Sequence, residues 1–260
     1  MTVKGKTVVV TGAASGMGKA VAEYSMEQGA RVIGLDISKI SLPLDQGLSI
    51  DLSDELAIDR AVQQIDEPID MLFNIAGVSL RPPPAVVLKI NFLGHRKFTE
   101  QLLPRMNNSA RVLSMASVAA YEWQQNLDRV KACLALSSFD QVDKYCADWK
   151  VDSSFSYKLS KECLIAWNQQ MAARYPDNSI CFNTVSPGPV DTQLWREAHA
   201  VSGKRGEKFL AFSPRIPEPP EIAHLFITLC RDEMTWFNGT NFEIDGGLAA
   251  RLNCERFGLV

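Results

Sequence analysis

The chain is poor in the residues that several functional classes require. It has only three histidines, His95, His199 and His224, far apart and outside any H-E-x-x-H pattern, so no protein-built metal site is expected. Its six cysteines are scattered without a C-x-x-C pair, which predicts reduced thiols rather than a disulfide framework. No basic run interrupts a net charge of −3, which argues against a nucleic-acid surface. No apolar stretch approaches the roughly 18 residues of a membrane span. No secretory signal with a cleavage site is expected at the start, so the location predicted is cytoplasmic. No repeat, low-complexity tract or Gly/Pro-rich linker divides the 260 residues, so residues 1–260 are expected to form one domain.

What is present is a regular alternation. Apolar, β-rich runs at 6–11, 31–35, 47–50, 69–74, 110–116, 179–184 and 240–244 predict strands. Helical patterns occupy 16–28, 54–65, 85–106, 155–174 and 218–231. Alternating strands and helices imply parallel pairing through right-handed crossovers, hence an α/β sheet of about seven strands covered on both faces. At 46% apolar residues the chain can bury such a core.

The first strand, Thr7-Val8-Val9-Val10, runs into Thr11-Gly12-Ala13-Ala14-Ser15-Gly16-Met17-Gly18 and then a helix. Glycines there allow a tight turn and close approach of backbone to a pyrophosphate, and the helix N-terminus offers free N–H groups and a positive dipole end. Gly12, Ser15, Gly16, Met17 and Gly18 are therefore candidate dinucleotide contacts, and a doubly wound, Rossmann-type sheet is predicted. The second strand ends in Asp36, 24 residues after Gly12. A carboxylate there can accept from ribose hydroxyls and would repel a 2′-phosphate, and positions 13–15 carry no Arg or Lys. NAD is the cofactor expected. Asp51-Leu52 and Asn74-Ile75-Ala76-Gly77 close the third and fourth strands, where small residues let backbone approach an adenine or ribose; Asp51, Leu52, Asn74, Ala76 and Gly77 join the candidates.

Tyr157 and Lys161 stand four residues apart on one helix face. A phenol is a poor base near neutrality; moving its pKa from about 10 towards 7 takes about 4 kcal/mol. The ammonium, together with a positively charged nicotinamide, is expected to supply it. A Tyr/Lys pair also occurs by chance on exposed helix faces, and its weight here comes from the glycine turn. Ser117 closes the fifth strand, where its hydroxyl can donate to a substrate oxygen; Ser114 is the competitor, farther from the strand exit. Asn91 is an awkward helix-interior residue. It is either a buried amide bonded to backbone or the site of a kink holding water for a proton relay to Lys161.

Together these motifs resemble the short-chain dehydrogenase/reductase family over nearly the whole chain. The matching pieces are the glycine turn, Asn74-Ile75-Ala76-Gly77, Asn91, Ser117, Tyr157 with Lys161, and Pro187-Gly188 with Thr192 after the sixth strand. The resemblance implies a catalytic tetrad of Asn91, Ser117, Tyr157 and Lys161. In it Tyr157 is the acid/base, and Lys161 both its tuner and a ribose ligand. Ser117 polarises the substrate oxygen and Asn91 positions a relay water. It also implies cofactor contacts from Pro187, Gly188, Val190 and Thr192, the last to the nicotinamide carboxamide. Ile75 departs from the family's usual second Asn. Ser117 and Tyr157 are 40 residues apart, more than is common in the family, so residues 118–152 read as an insertion. The same insertion occurs in a branch similar to bacterial 3α-hydroxysteroid dehydrogenase/carbonyl reductase and coniferyl-alcohol dehydrogenase. Ser156-Tyr157-Lys158-Leu159-Ser160-Lys161-Glu162 and Ile244-Asp245-Gly246-Gly247-Leu248 also look like that branch. In many family members the helices at 85–106 and 155–174 form a four-helix dimer contact, which an insertion could obstruct or rebuild; a homodimer is favoured over a tetramer.

The expected activity is NAD-dependent interconversion of an alcohol and a carbonyl on a bulky hydrophobic substrate, such as a 3α-hydroxysteroid or other cyclic secondary alcohol. The alternative is an aromatic allylic alcohol of the coniferyl type. Residues 188–217 form the expected substrate loop, and Ser117, Val118, Trp195, Phe209 and Phe212 the expected pocket. Tyr121 and Trp123 either join it or anchor the insertion. A non-catalytic nucleotide-binding protein is the remote alternative. A zinc-dependent alcohol dehydrogenase is disfavoured by the missing Cys/His ligands.

Overall fold

Seven strands form one wholly parallel sheet, in the order β3-β2-β1-β4-β5-β6-β7. The computed structural model describes residues 3–177, 179–202, 215–231, 233–234 and 236–259. The strands are β1 (Thr7–Thr11), β2 (Arg31–Asp36), β3 (Gln46–Ser49), β4 (Ile69–Asn74), β5 (Met106–Met115), β6 (Ile180–Pro187) and β7 (Asn241–Ile244). β1, β4 and β6 are buried along almost their whole length because both faces of the sheet are covered. Strand order reverses between β1 and β4, and such a switch point opens a crevice at the carboxyl ends of the strands.

The helices α1 (Gly16–Glu27), α2 (Glu55–Gln63), α3 (Pro84–Leu88), α4 (His95–Leu102), α5 (Leu127–Leu134), α6 (Gln141–Asp148), α7 (Ser153–Arg174), α8 (Gln193–Ser202), α9 (Pro219–Leu229) and α10 (Leu248–Phe257) follow in chain order. One apolar layer packs α1 and α9 against Val8, Val10, Phe73 and Val185. The other packs α2, α4, α7 and the insertion against Val9, Ile33, Leu72 and Val112. The consequence is positional: the two layers grip the sheet from both faces and set the strand ends under the crevice.

Five elements depart from the sequence expectation. The helix expected over 85–106 is interrupted by a π-helical turn at Lys89–Gly94 and ends in a 3₁₀ turn at Leu103–Arg105, so β5 begins at Met106 rather than 110. The segment 118–152, expected as one long irregular piece, contains two 3₁₀ turns, α5 and α6. Both helices pack on the α3 and α7 side of the sheet. The expected loop 188–217 contains α8. A C-terminal helix, α10, follows β7, its first turn capped by Asp245, whose carboxylate accepts from Gly247 N (2.8 Å) and Ala249 N (2.7 Å). α7 begins two residues earlier than expected because Asp152 caps it, accepting from Ser154 N and Phe155 N. Phe209 and Phe212 lie outside the described residues.

Candidate active site

The glycine turn at the end of β1 is shaped by contacts that no side chain could share. Gly12 has φ +79°, and a Cβ there would lie 2.9 Å from the Cα of Ala76; a Cβ on Gly18 would lie 2.1 Å from the carbonyl oxygen of Gly12. The turn is tied to β2 by Gly12 N and Ala13 N, which donate to the Leu35 carbonyl at 2.8 and 3.2 Å. Ser15 makes no capping bond across the start of α1, and no acidic side chain occupies that helix's first turn. The N–H groups and dipole of α1 therefore face the crevice uncompensated, which suits an anionic pyrophosphate. A dinucleotide fits this cradle. Gly12, Ser15, Gly16, Met17 and Gly18 would hold its phosphates.

Asp36, at the end of β2, accepts from Ala14 N at 2.9 Å and from Ser38 N at 2.8 Å. It thus braces the glycine turn from the end of β2. Asp51 accepts from Ser53 N and Ser53 Oγ, and it lines an open cleft of about 390 Å³ with Ile37, Ser49, Asp54, Ala57, Arg60 and Gln64. Leu52 is buried beside it.

The segment 75–78 forms the floor between β1 and β4. Thr11 Oγ1 accepts from Ile75 N (2.9 Å) and Ala76 N (3.2 Å). The Asn91 amide accepts from Val78 N at 2.8 Å and donates to Val78 O at 3.0 Å, with a longer bond to Ser160 Oγ at 3.3 Å. Asn91 sits in a π-helical turn, and its amide is bonded to backbone. A Cβ on Gly77 would lie 3.2 Å from Asn91 Oδ1 and 3.8 Å from Lys161 Nζ, which places these three together. Asn74 is different. Its amide turns into the protein, donating to Thr99 Oγ1 at 2.9 Å and Ser114 Oγ at 3.4 Å, so its side chain braces β4 against α4 and β5.

Ser117 starts the 3₁₀ turn after β5, and its Oγ accepts from Ala119 N at 3.2 Å, leaving its proton for another partner. Ser114 is fully buried in the Asn74 network, so the strand-exit serine is the one at the crevice. Lys161 is buried, donates to the Met115 carbonyl at 2.7 Å, and stands 5.8 Å from the centre of the Tyr157 ring. Burial pulls its ammonium down to about 8. Tyr157 runs against the sequence expectation. Its phenol is pushed up by burial, and the opposing influence is a hydrogen bond with Ser117 rather than the Lys161 charge. The Lys161 ammonium is turned to a backbone carbonyl, so the chain by itself holds the phenol protonated at neutral pH.

At the far side, Pro187 ends β6 and Gly188 N donates to Ile244 O at 3.1 Å. Val190 is buried. Thr192 Oγ1 donates to its carbonyl at 3.3 Å and accepts from Trp195 N at 3.1 Å, capping α8. A Cβ on Gly16 would lie 3.6 Å from Thr192 Cγ2, so the β6 exit closes on the glycine turn. Trp195 stacks on His199 with ring centres 4.9 Å apart. Val118 is half-buried beside Ser117, while Trp123 packs against the core, anchoring the insertion. Thr11, His95 and the Met115 carbonyl join the site without standing out in the sequence. A hydroxyl before the glycines and a histidine four residues after Asn91 were the available signals. No group of three or more His, Cys, Asp or Glu that could hold a metal occurs among the described residues.

Three comparisons bear on this geometry. The short chain dehydrogenase family profile matches residues 6–127, and a profile described as Enoyl-(Acyl carrier protein) reductase matches residues 141–249. Coniferyl-alcohol dehydrogenase of Pseudomonas sp. (strain HR199 / DSM 7063) is 35% identical over 254 residues, covering 96% of this chain and 99% of that protein. The 3-alpha-hydroxysteroid dehydrogenase of Pseudomonas sp. B-0831, solved in complex with NADH, superposes with a TM-score of 0.84 at 24% identity, covering 96% and 99% of the two chains. A short chain dehydrogenase of Burkholderia cenocepacia J2315, solved in complex with NADP, gives 0.71 at 22% identity, covering 96% and 100%.

Proposed function

Because the chain belongs to the short-chain dehydrogenase/reductase family and is an oxidoreductase acting on alcohols, we propose that it uses NAD to interconvert a bulky, hydrophobic alcohol and its carbonyl compound. The observation that carries the reading is the meeting of Ser117, Tyr157 and Lys161 at the exit of β5, beside the glycine cradle. Support for NAD comes from the Asp36 carboxylate at the ribose end, which would repel a 2′-phosphate.

When bound, the nicotinamide supplies a hydride acceptor or donor. The chain's residues handle the proton and the oxygen. In reduction, the Ser117 hydroxyl donates to the substrate carbonyl oxygen, and Tyr157, protonated at rest, delivers its proton to that oxygen as negative charge develops there. In oxidation, Tyr157 must first lose its proton, then takes the one from the substrate hydroxyl. Lys161, anchored on the Met115 carbonyl, stands beside the Tyr157 ring, and Asn91 fixes the backbone of Val78, next in the chain to the Gly77 that packs by Lys161.

The substrate reading rests on Val118 near the β5 exit and Trp195 near the β6 exit, with 3α-hydroxysteroids or cyclic secondary alcohols as one class. The coniferyl-alcohol dehydrogenase relative favours the second class, an aromatic allylic alcohol. Initial rates with NAD and NADP against steroid, cyclic and cinnamyl-type alcohols test both. Turnover confined to small polar alcohols overturns the bulky pocket, and a preference for NADP overturns the cofactor assignment.

The reading includes a homodimer in the cytoplasm. α5 and α6 cover the α3 and α7 side, while Trp236, 89% exposed, stands near the β7 edge. The six cysteines are free, as reduced thiols of that compartment would be. Light scattering of the purified chain checks the dimer; a monomer or tetramer mass refutes it.

A further inference from the structure

His95 is a buried titratable side chain that the proposed chemistry does not use. It opens α4, directly after the π-helical turn that carries Asn91, and it is 1% exposed. Its Nε2 lies 2.8 Å from the carbonyl oxygen of Ala76. A carbonyl can only accept, so Nε2 carries the proton. Its Nδ1 is buried without a hydrogen-bond partner, so that nitrogen has nothing that would favour protonating it. Burial first, and the Lys161 charge with it, hold the imidazole down at about 4. The ring is therefore neutral under ordinary conditions.

We propose that His95 is a positioning residue for the cofactor: as the neutral Nε2–H tautomer it fixes the Ala76–Gly77 peptide at the floor of the dinucleotide crevice. Ala76 is the residue against which Gly12 closes, at 2.9 Å from a hypothetical Gly12 Cβ, and Gly77 is the one packed beside Asn91 and Lys161. The backbone N–H groups of Ile75 and Ala76 are held by Thr11, and both polar groups of Val78 by Asn91. The Ala76 carbonyl is a further anchor of this segment, and His95 takes it. A neutral donor suits the place. A lysine or arginine there would add a second buried cation beside Lys161, opposing both that ammonium and the positive charge of an oxidised nicotinamide.

The inference rests on the dinucleotide reading above, and one set of measurements separates the two. Dissociation constants for NADH are measured by fluorescence on the full chain, with kcat at saturating cofactor, for wild type, His95→Phe and His95→Gln. The expected result is about tenfold weaker NADH binding in His95→Phe with kcat changed less than threefold, and recovery of most of that loss in His95→Gln, whose amide can donate to the same carbonyl. Nitrogen-15 spectra of the wild-type chain at pH 7 should show His95 neutral with its proton on Nε2. Unchanged NADH affinity in His95→Phe, equal losses in the two variants, or a charged or Nδ1-protonated ring overturns the proposal while wild-type binding leaves the dinucleotide reading intact. Wild type that binds no dinucleotide overturns both.

Discussion

Lys161 donates its ammonium to the backbone carbonyl of Met115 at 2.7 Å, from a side chain almost wholly removed from water. One carbonyl does not replace the hydration of a charge, which is why burial lowers this lysine to about 8 from 10.5. Between about pH 8 and about 10.5 the unfolded chain binds the proton that the folded chain has released, so unfolding free energy rises with pH across that window. The gain is at most about 3 kcal/mol. Thermal melts of wild type and Lys161→Met from pH 7 to 10.5 should show the rise in wild type and a flatter curve in the variant; parallel curves would remove the assignment.

Asp36 holds the glycine turn and, on the proposed reading, selects the cofactor; two substitutions separate these roles. Its carboxylate accepts from Ala14 N inside the glycine turn and would repel a 2′-phosphate. Asp36→Asn keeps an acceptor for Ala14 while removing the charge, and should lower the NAD:NADP ratio of kcat/KM by about tenfold with little change in melting temperature. Asp36→Ala should lower the ratio similarly and also weaken binding of both cofactors. If Asp36→Asn leaves the ratio unchanged, the charge does not select the cofactor.

The glycine turn admits a test by volume alone. Gly18 sits in a helix, and its hypothetical Cβ meets the Gly12 carbonyl oxygen at 2.1 Å, while Gly12 combines a left-handed φ with the Ala76 collision. Gly12→Ala and Gly18→Ala should each cost roughly 2–4 kcal/mol of stability and at least tenfold in NADH affinity. Chemical denaturation and fluorescence titration measure the two. Wild-type values in either variant would show that the turn relaxes.

Much of this arrangement is legible in the chain because each strand end carries its own punctuation. Thr11-Gly12, Asp36, Asn74 through Gly77, Ser117 and Pro187-Gly188 all mark exits of parallel strands, and the fold gathers those exits at one edge. The roles that local pattern could not reveal depend on long-range partners. Asn74 looks like a crevice residue but bonds to Thr99, 25 positions on. His95 looks isolated until β4 brings Ala76 beside it. The insertion helices α5 and α6 are short, at eight residues each, and form by packing on α3 and α7 rather than by intrinsic propensity. The raised Tyr157 phenol was hidden for the same reason: spacing puts Lys161 on its face, but only the fold shows the ammonium turned to Met115.

That raised phenol gives the two reaction directions different pH profiles. Reduction needs Tyr157 protonated, the form that burial favours, so its kcat/KM should stay level through neutral pH and fall only on the alkaline side. Oxidation needs the phenolate and should climb with pH over the same range. Tyr157→Phe should abolish both, with losses of about 10³-fold or more, while NADH binding changes less than threefold. Ser117→Ala should keep the phenol in place and lose about 10²-fold in kcat, and its oxidation profile should shift to higher pH, because the hydrogen bond that counters burial at Tyr157 is gone. Steady-state rates in both directions between pH 6 and 10 measure all of these. An oxidation profile in Ser117→Ala that shifts to lower pH would reverse the electrostatic assignment of the pair.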